Sequence, residues 1–248
     1  MNAKQLKKRL VAHRGYRQRY PENTLLALEQ AVAAGVNRLE FDIQLTADRV
    51  PVLFHDLTLK RTCGVTGTIT ECTFEQLSGV CAGEVARLGD AYKAEKIPSL
   101  ADVVAWASRQ PKLVLYAEIK EESLQQFGYR TVIEQVLPVV APLQGRLVLM
   151  SFDSELIARL KGIWPDTGLV LRRWPPSSDL IRQCDPCVVF VNKRRVGFRA
   201  QLHHLGIPVV VYEIDTVRRG RHWLKRGATY LETFSCGSLA ERWSDRYD

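Results

Sequence analysis

Short runs of apolar and β-branched residues recur along the chain, and a segment with helical periodicity follows most of them. Strands that alternate with helices build parallel sheets, because a crossover between parallel strands needs a dozen or more residues. Eight such strands within 248 residues match the usual size of one closed (β/α)8 barrel. The predicted strands are Leu10–Ala12, Arg38–Ile43, Leu113–Ile119, Leu147–Ser151, Leu169–Arg172, Val188–Val191, Pro208–Tyr212 and Thr229–Glu232.

Helices are predicted between these strands. In Thr24–Ala34 the apolar residues fall on one helical face, Asn23 or Thr24 can cap the first turn, and Gly35 can close the last. The other predicted helices are Leu100–Ser108, Leu124–Val140, Glu155–Ile163, Asp179–Arg182, Phe198–Leu205 and Val217–Lys225. A doubly wound open sheet is the competing architecture, but the sequence has no Gly-x-Gly-x-x-Gly to support it. The predicted fold class is therefore α/β, with a (β/α)8 TIM barrel.

One apolar run, Val50–Phe54, interrupts the alternation. It follows the strand that ends at Ile43 too closely for a parallel crossover, so it is predicted to return beside that strand as a hairpin. Residues 56–97 then hold glycine-rich turns and short segments. They are predicted to form a small insertion that caps the barrel mouth, within a single domain spanning residues 1–248.

The net charge of +8 favours anionic partners, which include nucleic acid, phosphorylated metabolites and membrane surfaces. No run of eighteen apolar residues occurs and the N-terminus has no apolar signal region, so we expect a cytoplasmic protein without membrane insertion. The cysteines are scattered, and the pair Cys184 and Cys187 has no second pair nearby, so a zinc site is not expected.

Carboxylates interrupt two of the apolar strands. Glu40 and Asp42 are two residues apart and therefore share one face of their strand, as do Glu118 and Lys120. In a barrel this face is the interior, near the C-terminal rim where catalytic groups collect. Three converging carboxylates repel one another, and a hard divalent cation with oxygen ligands, Mg²⁺ or Ca²⁺, would balance them. The alternative is that Arg14 and Lys120 pair with them and no metal binds.

Two histidines and two cations lie at the ends of the same strands. His13 follows the first strand and His55 ends the hairpin strand, and imidazoles there can exchange protons near neutral pH. Arg14 and Lys120 supply the positive charge that a phosphate group needs. Together with the carboxylates, these residues predict cleavage of a phosphoester.

Linked motifs in this order resemble the glycerophosphodiester phosphodiesterase family over nearly the whole chain. The matching segments are Ala12–Gly15, Pro21–Thr24, Glu40–Asp42, Val52–Asp56, Leu59–Thr62, Glu118–Lys120, Met150–Phe152 and Val209–Asp215. The resemblance implies a (β/α)8 barrel with an insertion after the His-Asp motif. It also implies hydrolysis of a glycerophosphodiester to sn-glycerol 3-phosphate and an alcohol, in which the substrate's own hydroxyl can attack first.

The resemblance also implies roles for individual residues. Glu40, Asp42 and Glu118 match the residues that hold a divalent metal. His13 and His55 match the general acid and base, without an indication of which is which. Residues matching Arg14 contact phosphate, and we add Lys120 and Tyr212 as substrate-binding candidates.

Several positions depart from the family pattern. Tyr212 stands where a Trp is usual, Asp215 stands where Asn is frequent, and Glu232–Phe234 replaces a frequent Thr-Asp pair. Asp48-Arg49 replaces an Asp-Gly turn, which strains the hairpin if Arg49 takes a positive φ. Tyr212 and Asp215 lie where the glycerol or the alcohol would be held, so the alcohol is left open.

Two other functions compete with this one. A lysophospholipid hydrolase of the phospholipase D type would use the same site, but it needs an apolar channel or a membrane-binding face. A non-catalytic protein that binds phosphate or nucleic acid would explain the basic surface alone. The intact set of carboxylates and histidines favours the enzyme, with a small-molecule substrate and without nucleic acid.

Overall fold

The first and last strands pair with each other, and this pairing closes the sheet. In the computed structural model, which describes residues 1–244, β1 pairs in parallel with both β2 and β9. The strands are β1 (Leu10–Ala12), β2 (Arg38–Leu45), β3 (Pro51–Leu53), β4 (Val114–Ile119), β5 (Leu147–Ser151), β6 (Thr167–Leu171), β7 (Val188–Asn192), β8 (Val209–Tyr212) and β9 (Tyr230–Thr233). All except β3 form one closed parallel barrel, so the predicted TIM barrel is confirmed.

Helices follow the strands around the outside of the barrel. They are α1 (Ala3–Lys7), α2 (Leu25–Ala33), α3 (Lys60–Cys63), α4 (Phe74–Ser78), α5 (Val85–Leu88), α6 (Leu100–Ser108), α7 (Glu121–Val140), α8 (Ser154–Leu160), α9 (Ser178–Cys184), α10 (Val217–Lys225) and α11 (Cys236–Ser244). Gly128, with φ of 77°, interrupts α7. Within residues 1–244, no helix combines the length and the apolar character that crossing a bilayer would require.

The side chains of each strand alternate between two apolar layers. In β2, Leu39, Phe41 and Ile43 are buried in the layer between the strands and the helices. A second cluster fills the inside of the barrel and comes from six of its strands. Its members are Val11, Tyr116, Val148, Met150, Val170, Val188, Phe190 and Val210. Polar side chains inside the barrel therefore lie above an apolar floor, at the end where the strands terminate.

The predicted hairpin is present as β3, which runs antiparallel to β2. Arg49 has a φ of 65° in the turn between them, so the condition under which Asp48-Arg49 strains the hairpin is met. Residues 56–97 contain α3, α4 and α5. Leu59, Ile69 and Leu77 from this segment pack with Val52 and Phe54 in a small cluster of their own.

The predicted helix Phe198–Leu205 is wrong. This segment is irregular and ends in one 3₁₀ turn, His203–Leu205. The backbone N–H of Leu202 donates to the carbonyl of Arg226, 2.8 Å away, instead of to a carbonyl one helical turn earlier. Leu202 is buried while Phe198 is 73% exposed, so the two apolar residues do not share a buried face. A contact distant in sequence has therefore overridden the local pattern.

Candidate active site

The predicted metal-binding carboxylates meet at the C-terminal ends of β2 and β4. Asp42 lies directly opposite Glu118 in the parallel register of these strands, and Glu40 precedes it on the same inner face. All three side chains are buried. One oxygen from each lies within 4.8 Å of the others. The structure thus brings together the three residues that the sequence separates by up to a third of the chain.

Asp42 is the best neutralised of the three carboxylates. Its oxygens lie 3.1 Å from Arg14 Nε and 3.6 Å from Lys120 Nζ, and Asn23 Nδ2 donates to it over 2.8 Å. Burial disfavours its charge, but Arg14 and Lys120 outweigh burial and lower the pKa of Asp42. Asp42 is therefore ionised at neutral pH.

Glu40 and Glu118 are less well compensated. Burial raises the pKa of Glu40 well above its ordinary value, and repulsion from Asp42 and Glu232 adds to the effect. Burial also raises the pKa of Glu118, although Lys120 Nζ lies 2.9 Å from its Oε1. The protein's own cations balance only part of this negative charge. Buried, converging oxygen donors with excess negative charge fit a hard divalent cation such as Mg²⁺ or Ca²⁺.

His13 is placed directly after β1, where its backbone N–H donates to the carbonyl of Thr233 over 3.0 Å. Its ring stacks on Phe234 with the ring centroids 4.3 Å apart, and its Nε2 lies 3.9 Å from Glu40 Oε2. Burial lowers the pKa of His13 well below 6.5, and the neighbouring charge of Arg14 lowers it further. The imidazole is therefore neutral at pH 7 and can accept a proton.

Glu232 is a site residue for which sequence reasoning predicted no role. It is buried in β9, and its Oε2 lies 3.5 Å from His13 Nδ1. Burial raises its pKa well above the ordinary value, with repulsion from Glu118 as the next contribution. Since Leu231 packs in the outer layer, the alternation of a strand places Glu232 inside the barrel. The same rule that predicted Glu40 and Asp42 would have found it.

His55 is held by a neighbouring carboxylate. It is half-buried, and its Nδ1 lies 2.6 Å from Asp56 Oδ1, while Arg61 Nε donates to Asp56 Oδ2 over 2.6 Å. Burial opposes ionisation of Asp56, but the hydrogen bonds from His55 and Arg61 lower its pKa. An ionised Asp56 accepts, so His55 Nδ1 carries a proton, and Nε2 is the ring nitrogen left to exchange a proton with a ligand.

A buried network around Glu22 supports Arg14, and sequence reasoning missed it as well. Glu22 accepts from Arg14, Arg17 and Arg61; Arg14 Nη1 lies 2.9 Å from its Oε1. Despite the opposing effect of burial, the hydrogen bonds and charges of these guanidinium groups lower the pKa of Glu22. Glu22 lies in a loop without periodicity, so no pattern indicated its burial.

The backbone after β1 requires a glycine. Gly15 has a φ of 76°, and a Cβ there would lie 2.5 Å from the carbonyl carbon of Ala27 in α2. Arg14 also has a positive φ, 56°, and its backbone N–H donates to Glu40 Oε2 over 2.9 Å. The turn thus directs both the backbone and the side chain of Arg14 toward the carboxylates.

Tyr212, at the end of β8, completes the set of predicted residues at the barrel mouth. Its ring meets that of His13 edge to face, with the centroids 6.2 Å apart. Burial and the charges of Glu232 and Glu118 raise the pKa of Tyr212, so its hydroxyl keeps its proton. All the predicted site residues therefore lie at the C-terminal ends of the strands or directly after them, while their individual roles stay predictions.

The chain matches the model of the glycerophosphoryl diester phosphodiesterase family over residues 13–231. The chain belongs to this family. It is 31% identical over 201 residues to an uncharacterized protein of Bacillus subtilis (strain 168), covering 80% of this chain and 78% of that protein. It is 32% identical over 166 residues to glycerophosphodiester phosphodiesterase 1 of Bos taurus and of Homo sapiens, covering 66% of this chain. It spans 49% of the length of either mammalian relative.

Solved structures of similar proteins share the barrel. A phosphodiesterase of Oleispira antarctica in complex with the product sn-glycerol-3-phosphate superposes with a TM-score of 0.82 at 22% identity, over 97% of this chain and 98% of that one. A putative glycerophosphoryl diester phosphodiesterase of Silicibacter pomeroyi gives 0.81 at 22% identity, over 96% and 93%. At this identity the likeness establishes the fold.

Proposed function

We propose that this family member hydrolyses glycerophosphodiesters to sn-glycerol 3-phosphate and an alcohol. The observation that carries the proposal is the buried convergence of Glu40, Asp42 and Glu118 beside His13, with cationic groups on the same rim. The names of the relatives and the product bound to the Oleispira antarctica protein support the choice of diester. We further propose that the three carboxylates hold Mg²⁺ or Ca²⁺.

When bound there, a divalent cation supplies Lewis-acid polarisation of a phosphoryl oxygen. Such an ion would share in neutralising the charge of Asp42, which Arg14 and Lys120 otherwise neutralise. The two side chains would then be free to bind the other phosphoryl oxygens. Charge on the phosphoryl oxygens is thereby stabilised in a water-poor site. Substrate orientation and charge stabilisation are the expected contributions of these two cations.

The two histidines divide the proton transfers. His13 is neutral and takes the proton from the attacking oxygen, which belongs to water or to a substrate hydroxyl. When the substrate hydroxyl attacks, a cyclic phosphate forms and a water molecule then opens it to the monoester. His55, held through Nδ1 by Asp56, donates a proton from Nε2 to the alcohol oxygen as its bond to phosphorus breaks. The environments of the two rings support this assignment, since only His13 is buried.

The proposal is tested with the purified chain, sn-glycero-3-phosphoglycerol and sn-glycero-3-phosphocholine, measuring release of glycerol 3-phosphate with Mg²⁺, with Ca²⁺ and with a chelator. Calorimetry measures metal binding separately. Glu40→Gln/Asp42→Asn should lose both binding and turnover. Glu134→Gln/Glu155→Gln removes two exposed carboxylates on outer helices and serves as the control.

Each possible failure has its own meaning. Absence of glycerol 3-phosphate with every diester overturns the function. Normal turnover in chelator, or in the Glu40→Gln/Asp42→Asn variant, overturns the metal assignment alone. Faster cleavage of lysophosphatidylcholine than of glycerophosphocholine would support the lysophospholipid hydrolase instead.

We also propose that residues 56–97 cap the barrel mouth within one domain. Arg61 of α3 supports this, because it bridges Asp56 at the end of the hairpin and Glu22 after β1. Residence in the cytoplasm stays a prediction.

A further inference from the structure

A cavity of about 490 Å³ lies at the ends of β5 and β6, on the part of the barrel mouth that carries none of the predicted catalytic groups. Most of its lining residues are apolar, among them Phe152, Leu171, Trp174 and Leu180, and Ser154 and Ser177 also line it. Arg172 and Arg173 are its charged lining residues. Among the described residues that line it, none is acidic.

The cavity is lined in part by Phe152, which directly follows β5, and β5 is the neighbour of β4, the strand that carries Glu118. Glu118 lies opposite Met150 in the register of β4 and β5, so Phe152 stands one step beyond the carboxylate on the neighbouring strand. The guanidinium of Arg172 lies 5.0 Å over the ring of Phe152 and pairs with Glu121, the residue after Lys120. A phosphate held beside Lys120 would therefore have one of its ester arms directed over this wall.

The two ester arms of a glycerophosphodiester place different demands on a pocket. Glycerol carries hydroxyls that need hydrogen-bond partners, and an apolar wall would leave them unsatisfied. An alcohol arm without hydroxyls of its own has no such requirement. An ammonium group on that arm would face Arg173, which has no salt-bridge partner among the described residues, whereas Glu121 already balances the charge of Arg172.

We infer that this cavity is the binding site for the alcohol arm, and that the preferred alcohol has apolar surface and no positive charge. The inference rests on the proposed function and adds the class of leaving group. It disfavours choline and ethanolamine diesters and favours diesters of uncharged alcohols that can lie against Trp174 and Phe152.

The sharpest test compares two diesters that differ by one atom. One is sn-glycero-3-phosphocholine, and the other is its carbon isostere, the 3,3-dimethylbutyl ester. We expect kcat/KM to be at least about tenfold higher for the uncharged isostere. Choline is intrinsically the better leaving group because of its ammonium, so chemical reactivity alone would give the opposite order.

Two sets of variants test which residues cause the preference for the uncharged diester. Arg173→Gln should raise kcat/KM for the choline ester severalfold and leave the isostere nearly unchanged, while Arg172 is kept because its loss would free Glu121. Trp174→Ala should lower kcat/KM for the isostere about tenfold, mainly through KM, and Trp174→Phe should restore most of it. Arg130→Gln, on the exposed face of α7, removes a charge remote from the cavity and is the control.

The outcomes separate the inference from the function on which it rests. Equal hydrolysis of the two diesters, or a preference that the arginine variant leaves unchanged, overturns the inference while the proposed function stands. Cleavage of neither diester, nor of sn-glycero-3-phosphoglycerol, overturns the function itself. If Trp174→Ala slows lysophosphatidylcholine and neither short diester, the cavity holds an acyl chain and the inference is wrong. Because Trp174 also packs against the core, the arginine variant keeps the test valid should Trp174→Ala fail to fold.

Discussion

The two sides of the barrel mouth are built from the same kind of strand and yet differ in almost every physical property. On the side formed by β9, β1, β2 and β4, buried charged groups point inward. On the side formed by β5 and β6, the inward positions are apolar, as in Met150, Phe152 and Val170. Every strand of the barrel ends at an equivalent position on the rim. The identity of the side chains therefore decides that one side carries the charged groups and the other forms an apolar wall.

The two sides should also respond differently to amino-acid substitutions. Buried charges interact strongly and are costly when a partner is removed, so the charged side is a coupled unit. The apolar side is held by dispersion and burial, whose contributions are smaller for each atom and more nearly additive. Changes on the charged side should mainly affect kcat, and changes on the apolar side should mainly affect KM.

Among single substitutions, the largest expected effect is at His13. Replacing it with Gln should lower kcat by about 10²- to 10⁴-fold and change KM little, because a proton acceptor is lost while the pocket is kept. Steady-state kinetics on sn-glycero-3-phosphoglycerol measure both constants. His203→Gln, in the 3₁₀ turn between β7 and β8, is the control. A kcat within a factor of about two of the wild-type value would contradict the proposed role of His13.

Glu232→Gln should have the next largest effect, about tenfold to a hundredfold on kcat, because Glu232 Oε2 lies 3.5 Å from His13 Nδ1 and a carboxylate at that place can position the ring. Glu232→Asp should recover part of the loss. Glu241→Gln, on the exposed face of α11, is the matched control. Equal activity of Glu232→Gln and Glu241→Gln would show that Glu232 of β9 takes no part in the function of the charged side.

Glu22→Gln tests the charged side through stability. Because the folded-state pKa of Glu22 lies below its ordinary value of 4.5, its stabilising effect is present above pH 4.5 and declines as the pH falls further. The variant should have a free energy of unfolding about 2 kcal/mol lower at pH 7. The difference should shrink toward pH 3, which urea unfolding at both pH values can measure. A difference that stays constant with pH would exclude the charged form of Glu22 as its source.

The smallest expected effect is at Tyr212, which lies between the two sides. Tyr212→Phe should lower kcat/KM by about two- to tenfold, the effect of one hydrogen bond. Tyr212→Trp introduces the residue usual in the family and tests whether the larger ring occupies space that the alcohol needs. An unchanged kcat/KM in both variants would exclude substrate contact by Tyr212.

Local patterns were enough to predict the barrel. Alternation within β2 and β4 placed Glu40, Asp42 and Glu118 correctly, because the inner and outer faces of a strand differ by one residue. The periodicity that predicted α6 and α10 gave their bounds without error. The irregular link before β8 was mispredicted because the partner of the Leu202 N–H is Arg226, a contact that no local window contains.

The site was predicted less completely than the fold. Residues within strands obey the alternation rule, and Glu232 was overlooked only because the rule was not applied to β9. Glu22 and Arg61 belong to loops, where burial depends on which segments meet in three dimensions. A sequence pattern within one segment does not indicate which other segments that segment contacts in the folded protein.

The closure of the barrel has a consequence for how the protein is made. His13 is synthesised long before its backbone partner, the carbonyl of Thr233, and before Phe234, on which its ring rests. A ribosome must therefore translate and release some 220 further residues before this histidine acquires its surroundings. A nascent chain that carries every predicted catalytic residue up to Tyr212 would still lack the closing strand, so enzymatic activity should appear only after β9 has been synthesised.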